Sequence, residues 1–198
     1  MKKKTYLFVD GSNFYAGQYE LFGPHRYLDF SKLIAQLERK INIVFDKIYF
    51  YASYSPKPNK PSDKQKLYLK NEALFYKSVK SVQKVAFFKG YRSKTSGKEK
   101  EVDVKLAVDM VDFAHRKLYD QMYLVSGDAD FMEALHAVKR LGLKVSLLCL
   151  ENKIMYKSLL FYPMHILLLK KPVIKLGKIL NKPNILKLRS KEVLKSIE

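Results

Sequence analysis

The stretch YLFVDGSNFY, residues 6–15, decides the fold class and raises the question of function. Its first four residues are continuously apolar, as in a strand of a parallel sheet that is covered on both faces. The run ends on Asp10 and Gly11, and a glycine lets the backbone turn sharply after the strand. A buried strand therefore delivers a carboxylate to its own carboxyl end, which matters for function if other acids reach the same edge.

Four further apolar runs of this kind follow: KIYFYAS (47–53), VQKVAFF (82–88), QMYLVSG (121–127) and KVSLLCL (144–150). Helical patterns lie between them, at residues 29–41, 63–80, 101–118 and 129–142. Strands that alternate with helices predict an α/β fold whose central, mostly parallel twisted sheet carries helices on both faces. Two stretches are predicted loops: 55–64, which has three prolines, and 91–100, which is polar and basic.

The composition describes a globular and strongly basic chain. Its 198 residues suffice for one domain with a core, and 38 Lys and Arg against 19 Asp and Glu give a net charge of +19. This charge predicts a polyanionic partner, RNA or DNA, although a basic proteome or a place beside the ribosome also explains it. The single cysteine, Cys149, excludes an internal disulfide and a cysteine-based zinc site.

The sequence gives no sign of a membrane segment. No apolar run reaches the roughly 18–20 residues that cross a bilayer. The basic start, MKKK, precedes an apolar run of only about four residues, whereas a signal peptide needs roughly 7–15. We therefore expect a cytoplasmic protein without membrane contact.

The chain after residue 169 differs from the rest. Residues 170–198 hold nine Lys and Arg and two Glu, and Pro172 and Pro183 interrupt their apolar and basic pattern. We expect a domain over 1–169 and a basic C-terminal extension over 170–198. The extension fits three descriptions: an RNA-binding arm, an amphipathic segment that docks on a partner, or a frayed tail.

Acids other than Asp10 also follow strands. Asp128 and Asp130 come after the strand that ends in LVSG, and ligands of such sheets bind outside the carboxyl ends of the strands. Each acid also has an ordinary explanation. Asp10 could start a turn, with Asn13 as the cap of the helix after it, and Asp128 or Asp130 could cap the helix that follows them.

The third acid lies on the helix at 101–118. At about 100° per residue, Asp103 falls within an apolar arc that is formed by Ala107, Met110, Val111 and Ala114. The opposite, solvated face is predicted to hold Lys105, Asp109, Asp112 and Arg116. A carboxylate in an apolar arc is costly unless it is paired or binds a cation. A favourable interaction with the helix macrodipole is the alternative explanation for Asp103.

Clustered carboxylates without His or Cys suit Mg²⁺ or Mn²⁺, not zinc. Such a cation activates water and neutralises charge on a phosphoryl group. A basic surface would hold a phosphodiester against the acidic pocket. Metal-dependent hydrolysis of nucleic acid is therefore the hypothesis that accounts for both features.

Three motifs carry a resemblance to a known family: FVDGSNFY, KEKEVDVKLAVDM and LVSGDADF. In this order, over about residues 5–150, they resemble the NYN domain in its LabA-like branch, a relative of the PIN-domain ribonucleases. The resemblance implies a PIN-like three-layer fold and an acidic metal site for RNA cleavage. The implied metal ligands are Asp10, Asp103, Asp128 and Asp130, with Asp130 in an outer position or at a second ion. The implied catalytic set adds Asn13 and Ser126, which would orient carboxylates or the scissile phosphate.

Basic residues in the two predicted loops are expected to grip the phosphate backbone: Lys57, Lys60, Lys64, Arg92, Lys94, Lys98 and Lys100. Tyr54 or Tyr91 is available to stack on a base. An ordinary solvated basic loop is the alternative. Other enzyme classes fit poorly, because a haloacid-dehalogenase phosphatase needs an aspartate where Ser12 stands and no glycine-rich phosphate loop exists. A non-catalytic RNA-binding or scaffold protein of the same fold remains an alternative, and the oligomeric state, a homodimer included, stays open.

Overall fold

The computed structural model describes residues 3–92, 99–154, 162–169 and 183–197. Its core is a seven-stranded parallel sheet. The strands of this sheet are β1 (Thr5–Asp10), β3 (Lys47–Ala52), β4 (Val85–Lys89), β7 (Gln121–Val125), β8 (Lys144–Leu150), β9 (Met164–Leu168) and β10 (Asn184–Lys187). The predicted α/β fold with a mostly parallel central sheet is confirmed.

Helices and short strands complete the described chain. The helices are α1 (Gly11–Phe22), α2 (Phe30–Ile41), α3 (Asp63–Lys80), α4 (Val102–His115), α5 (Met132–Arg140) and α6 (Ser190–Val193), with a 3-10 turn at Ala129–Phe131. The short strands are β2 (Arg26–Leu28), β5 (Tyr91–Arg92), β6 (Glu99–Lys100) and β11 (Leu194–Ser196). They form two antiparallel pairs, β2 with β11 and β5 with β6.

The strand order places a crevice beside β1. Across the sheet the order is β10-β9-β8-β7-β1-β3-β4. From β1 the chain winds outward through β3 and β4, and it then returns to the other side of β1 with β7. Val9 pairs with Val125 of β7, and Asp10 pairs with Tyr51 of β3. The reversal next to β1 is the topological switch point at which such sheets bind ligands.

Alternate residues of each strand build two separate apolar cores. Leu7 and Val9 join the core beneath α1, α2 and α3. Phe8 joins the core beneath α4 and α5 on the other face. The sheet thus carries helices on both faces as the middle of three layers. Continuous apolar strands are the sequence signature of this arrangement, since both faces of each strand are covered.

The described part of the C-terminal extension packs against the domain. β10 adds a parallel strand beside β9, and β11 pairs with β2. Val193 is fully buried, and its carbonyl accepts a hydrogen bond of 2.6 Å from the Asp29 amide. Lys195 lies 2.9 Å from the Asp29 carboxylate. Residues 183–197 therefore contribute to the apolar core beneath α2, while the boundary at residue 169 stays a prediction.

No helix in the four described ranges is both long enough and apolar enough to cross a bilayer.

Candidate acidic site at the switch point

Asp10 ends β1 and begins α1. Its Oδ1 accepts the backbone N–H of Asn13 at 3.1 Å, so Asp10 itself caps the helix. A Cβ atom on Gly11 would lie 2.1 Å from the ring of Phe50, which explains why glycine stands directly after the acid. Strand end, cap and glycine together fix the Asp10 carboxylate at the carboxyl edge of the sheet.

The turn after β7 meets Asp10 through Ser126. The Ser126 hydroxyl donates to Asp10 Oδ2 at 2.8 Å, and its oxygen accepts the Asp128 amide at 3.0 Å. The side-chain oxygen of Asn13 accepts the Gly127 amide at 3.1 Å. Residues separated by more than 110 positions in the chain are thus joined in one hydrogen-bond network. The structure brings Asp10, Asn13, Ser126 and Asp128 together, as predicted.

The turn at Gly127 has no room for a side chain. A Cβ atom there would lie 2.6 Å from the backbone carbonyl oxygen of Lys153, in the turn after β8. On the other side of the turn, the thiol of the buried Cys149 donates to the Ser126 carbonyl at 3.1 Å. The segment that carries Asp128 is therefore held by the neighbouring strand and its loop. Cys149 itself is buried in the apolar core beneath α4 and α5.

Asp10 lies in an electrostatically unfavourable place for an anion. The residue is 3% exposed, and burial raises the pKa of its carboxyl from 3.8 to about 7. Hydrogen bonds from Asn13 and Ser126 lower this pKa, while the negative charges of Asp103 and Asp128 raise it further. Asp103 and Asp128 thus lie close enough to Asp10 for their charges to act on it.

The predicted orientation of α4 is wrong. Asp103 is exposed, whereas the buried side chains of α4 are Val102, Leu106, Asp109, Met110 and Ala114. Val104 and Val108 are 68% and 55% exposed, so the apolar character of α4 does not follow its buried face. Asp103 is the second residue of α4 and lies in its first turn. There its charge reaches Asp10 without the cost of burial that we expected.

Asp128 and Asp130 have different positions. Asp128 is half-buried and caps the 3-10 turn, since its Oδ1 accepts the Asp130 amide at 2.9 Å. Asp130 is exposed on the same turn. α5 has no side-chain cap of its own. The structure therefore places Asp128 at the site and Asp130 at its outer border.

The donor atoms of the site suit a hard divalent cation. Each Asp10 oxygen accepts one hydrogen bond, and a carboxylate oxygen can interact with a second donor or a cation. In the described ranges, however, no three His, Cys, Asp or Glu side chains lie close enough together to bind one ion directly. A cation that keeps several waters, as Mg²⁺ does, needs only one or two direct carboxylates. A cation at this site would therefore have to keep several waters and use only one or two direct carboxylates.

The predicted nucleic-acid contacts are only partly described. Lys57 and Lys60 are exposed on the loop after β3, and Lys64 is exposed in the first turn of α3. The backbones of Arg92 and Lys100 form part of the paired strands β5 and β6. Lys94 and Lys98 lie outside the described residues. The role of these basic residues in binding stays a prediction.

Of the two tyrosines that are predicted to stack on bases, the structure describes the side chain of one, Tyr54. Tyr54 is half-buried, its ring packs edge-to-face on Tyr76 at 5.1 Å, and Lys80 and Lys89 each lie 5.3 Å from its centroid. The side chain of Tyr91 is not among those described. The predicted role of Tyr54 would therefore have to use the part of its ring that these neighbours leave accessible.

One buried polar pair next to the site, Tyr51 and Asp109, was not predicted from the sequence. The Tyr51 hydroxyl donates to Asp109 at 2.8 Å, and Lys105 forms an ion pair with the same carboxylate. Tyr51 is the neighbour of Asp10 in the sheet. The spacing of Lys105 and Asp109, four residues apart on a helix, signalled the ion pair but not its burial.

Comparison with known proteins agrees with this geometry. The sequence model of the NYN domain family matches residues 4–161. None of the curated proteins compared with the chain matches it. Among solved structures, the chain is similar to VPA0982, a protein of unknown function from Vibrio parahaemolyticus RIMD 2210633, with a TM-score of 0.59 and 20% identity. The match covers 83% of this chain and 92% of that chain, and at this identity it concerns the fold alone.

Proposed function

Because the chain belongs to the NYN domain family, we propose that it is a ribonuclease that hydrolyses RNA phosphodiester bonds with bound Mg²⁺ or Mn²⁺. The observation that carries this proposal is the buried Asp10 carboxylate. Its pKa is raised by burial and by the negative charges of Asp103 and Asp128. Three carboxylates at one sheet edge repel one another, and a divalent cation would relieve this repulsion. On the same three motifs, we place the chain in the LabA-like branch of the family.

Each residue of the site has a proposed task. Asp10 binds the cation, and Asp103 and Asp128 hold it directly or through its waters. Ser126 and Asn13 keep the Asp10 carboxylate and the Gly127 turn in place through their hydrogen bonds. Asp130, at the outer border, acts on an outer water or a second ion. When bound, the cation supplies an activated water and neutralises charge on the phosphoryl group.

The basic surface supports RNA as the substrate, although DNA would be attracted by the same charge. A net charge of +19 strongly favours a polyanion, and exposed Lys57, Lys60 and Lys64 follow the strand beside β1. Arg92, Lys94, Lys98 and Lys100 precede the helix that bears Asp103. We propose that both groups bind phosphates on either side of the acidic site.

A second candidate function is an RNA-binding or scaffold protein without catalysis. It is favoured by one observation, that no three potential ligands in the described ranges stand at direct metal-binding distance. In this alternative, the buried Asp10 has a structural task as the cap of α1 and the acceptor for Ser126.

Cleavage and binding, measured on the same variants, separate the two functions. Asp10→Asn and Asp128→Asn should abolish Mg²⁺- or Mn²⁺-dependent cleavage of labelled RNA and spare RNA binding in EDTA. Asp112→Asn is a matched control, because Asp112 is an exposed acid of α4 paired with Arg116. Should the wild type cleave no single- or double-stranded RNA or DNA with either ion, the scaffold function is correct.

A further inference from the structure

A cleft lies on the helical layer of α1 and α3, away from the acidic site. Its volume is about 240 Å³, and the loop after β3 closes one side of it. The cleft is lined by Tyr19, Ser55, Pro56, Pro58, Lys64, Gln65, Tyr68 and Leu69. Pockets for drug-sized ligands usually measure about 300–1,000 Å³, so this one suits a smaller, flat group.

The walls of the cleft are aromatic and well fixed. The rings of Tyr19 and Tyr68 meet edge-to-face with centroids 4.8 Å apart. The Tyr15 hydroxyl donates to the Tyr68 carbonyl at 3.1 Å, which ties α1 to α3 behind the cleft. Ser55 donates from its amide and its hydroxyl to the buried Glu72, at 2.9 and 2.8 Å. Both helices and the loop are thus held in place before any ligand arrives.

The rim of the cleft is cationic. Lys64 lines it, and Lys57 and Lys60 lie on the loop that closes it. All three lysines are exposed, and none of them pairs with a carboxylate in the described part of the chain. Lys66, two residues further on α3, is instead paired with Asp63 at 2.9 Å. Aromatic walls beneath unpaired lysines are the combination that binds a base and its phosphate.

We propose that this cleft is a nucleobase subsite, in which one base of a single-stranded RNA packs against the tyrosines while Lys64 contacts its phosphate. The inference rests on the proposed function, because it adds a subsite to the same RNA path. Tyr19 lies nine residues after Asp10 on one helix, a distance of about 13 Å at 1.5 Å per residue. At about 3.4 Å for each stacked nucleotide, the base in the cleft lies roughly four nucleotides from the acidic site.

The test uses the full chain in EDTA, so that binding is measured without cleavage. The probes are a fluorescent single-stranded oligoribonucleotide and a series in which one abasic nucleotide is moved along the strand. Wild type should bind the abasic probes about 5- to 100-fold more weakly at one or two positions, because one stacked base is lost. Tyr68→Ala should bind intact and abasic probes alike, whereas Tyr68→Phe, which keeps the ring, should discriminate as wild type does.

A second pair of variants keeps the test valid if Tyr68→Ala does not fold. Lys64→Ala and Lys66→Ala each remove one charge from the same helix, and only Lys64 lines the cleft. Lys64→Ala should lower the affinity several-fold more than Lys66→Ala and still discriminate the abasic probes.

The outcomes separate this inference from the proposed function. Equal losses from Lys64→Ala and Lys66→Ala, or a wild type that binds intact and abasic probes equally, would overturn the subsite and leave the nuclease proposal standing. Binding of a proline-rich peptide in the cleft, with RNA affinity unchanged, would overturn it as well. A wild type that binds no RNA contradicts both proposals.

Discussion

The Tyr51 hydroxyl donates a 2.8 Å hydrogen bond to the carboxylate of Asp109, and both residues are almost completely buried. Tyr51 lies beside Asp10 in the sheet, and Asp109 lies on the helix that carries Asp103. The pair therefore links the strand next to the first acid with the helix that holds another. Burial raises the pKa of the Tyr51 hydroxyl, and the nearby Asp109 carboxylate raises it further, so the tyrosine stays a donor.

We expect Asp109→Asn to lower the free energy of unfolding by about 1–3 kcal/mol, because the buried Asp109 carboxylate loses its ion pair with the partly exposed Lys105. Asp112→Asn, on the same helix, breaks only the exposed pair with Arg116 and should cost less than about 0.5 kcal/mol. Urea denaturation of both variants measures the difference. Equal costs would mean that the ion pair of Asp109 with Lys105 stabilises the fold no more than the exposed pair of Asp112 with Arg116 does.

The stability of the wild type should depend on the protonation of Asp10. Its folded-state pKa of about 7 lies above the unfolded value of 3.8, so the folded chain binds the extra proton between these pH values. The free energy of unfolding therefore falls as pH rises through this window, by on the order of 4 kcal/mol in total. Asp10→Asn has no ionisable side chain at this position, so its free energy of unfolding should not fall in this way.

Urea denaturation of the wild type and Asp10→Asn at pH 5 and pH 8, in EDTA, measures this effect. The free energy of unfolding of Asp10→Asn, relative to that of the wild type, should increase by about 2–3 kcal/mol from pH 5 to pH 8. For Asp112→Asn, the difference from the wild type should stay within about 0.5 kcal/mol at both. An advantage of Asp10→Asn that does not change with pH would show that the Asp10 carboxyl is not destabilised by its surroundings.

The C-terminal segment, residues 183–197, should contribute to the stability of the domain. Val193 is fully buried against the core beneath α2, and Val193→Ala is expected to cost about 2 kcal/mol. Ile185→Ala is the control, because Ile185 is 50% exposed on β10 and should cost less than about 0.5 kcal/mol. Thermal unfolding of the two variants decides the matter. A Val193→Ala protein as stable as the control would mean that residues 183–197 do not pack on the domain in solution.

The sheet and its main helices could be predicted because their apolar runs are long and continuous. The strand at 144–150 and the helix at 63–80 have the predicted bounds. β2 and β11 were missed, since a strand of three residues has no recognisable period. β10 was missed as well, because its burial depends on β9 and not on its own sequence.

The candidate site was predictable at the strand ends and unreliable on α4. A glycine next to an acid at the end of an apolar run marks a turn, and this signal located Asp10 and the Gly127 turn correctly. The face of α4 was misjudged because Val104 and Val108 are exposed and Asp109 is buried, against their polarity. A helical wheel reports side-chain types, while Tyr51 and Lys105 decide where Asp109 can lie.

We propose that Asp10, Asp103 and Asp128 share one divalent cation. The most direct test of this proposal is the anomalous scattering of Mn²⁺ in crystals of the wild type grown or soaked with the ion, with Asp10→Asn as the comparison. We predict one strong peak within direct coordination distance of the Asp10 carboxylate, about 2.0–2.6 Å for hard cations, with Asp103 and Asp128 reached directly or through one water. The peak should be absent from Asp10→Asn. No peak at millimolar Mn²⁺, or a peak that remains in Asp10→Asn, would contradict the account.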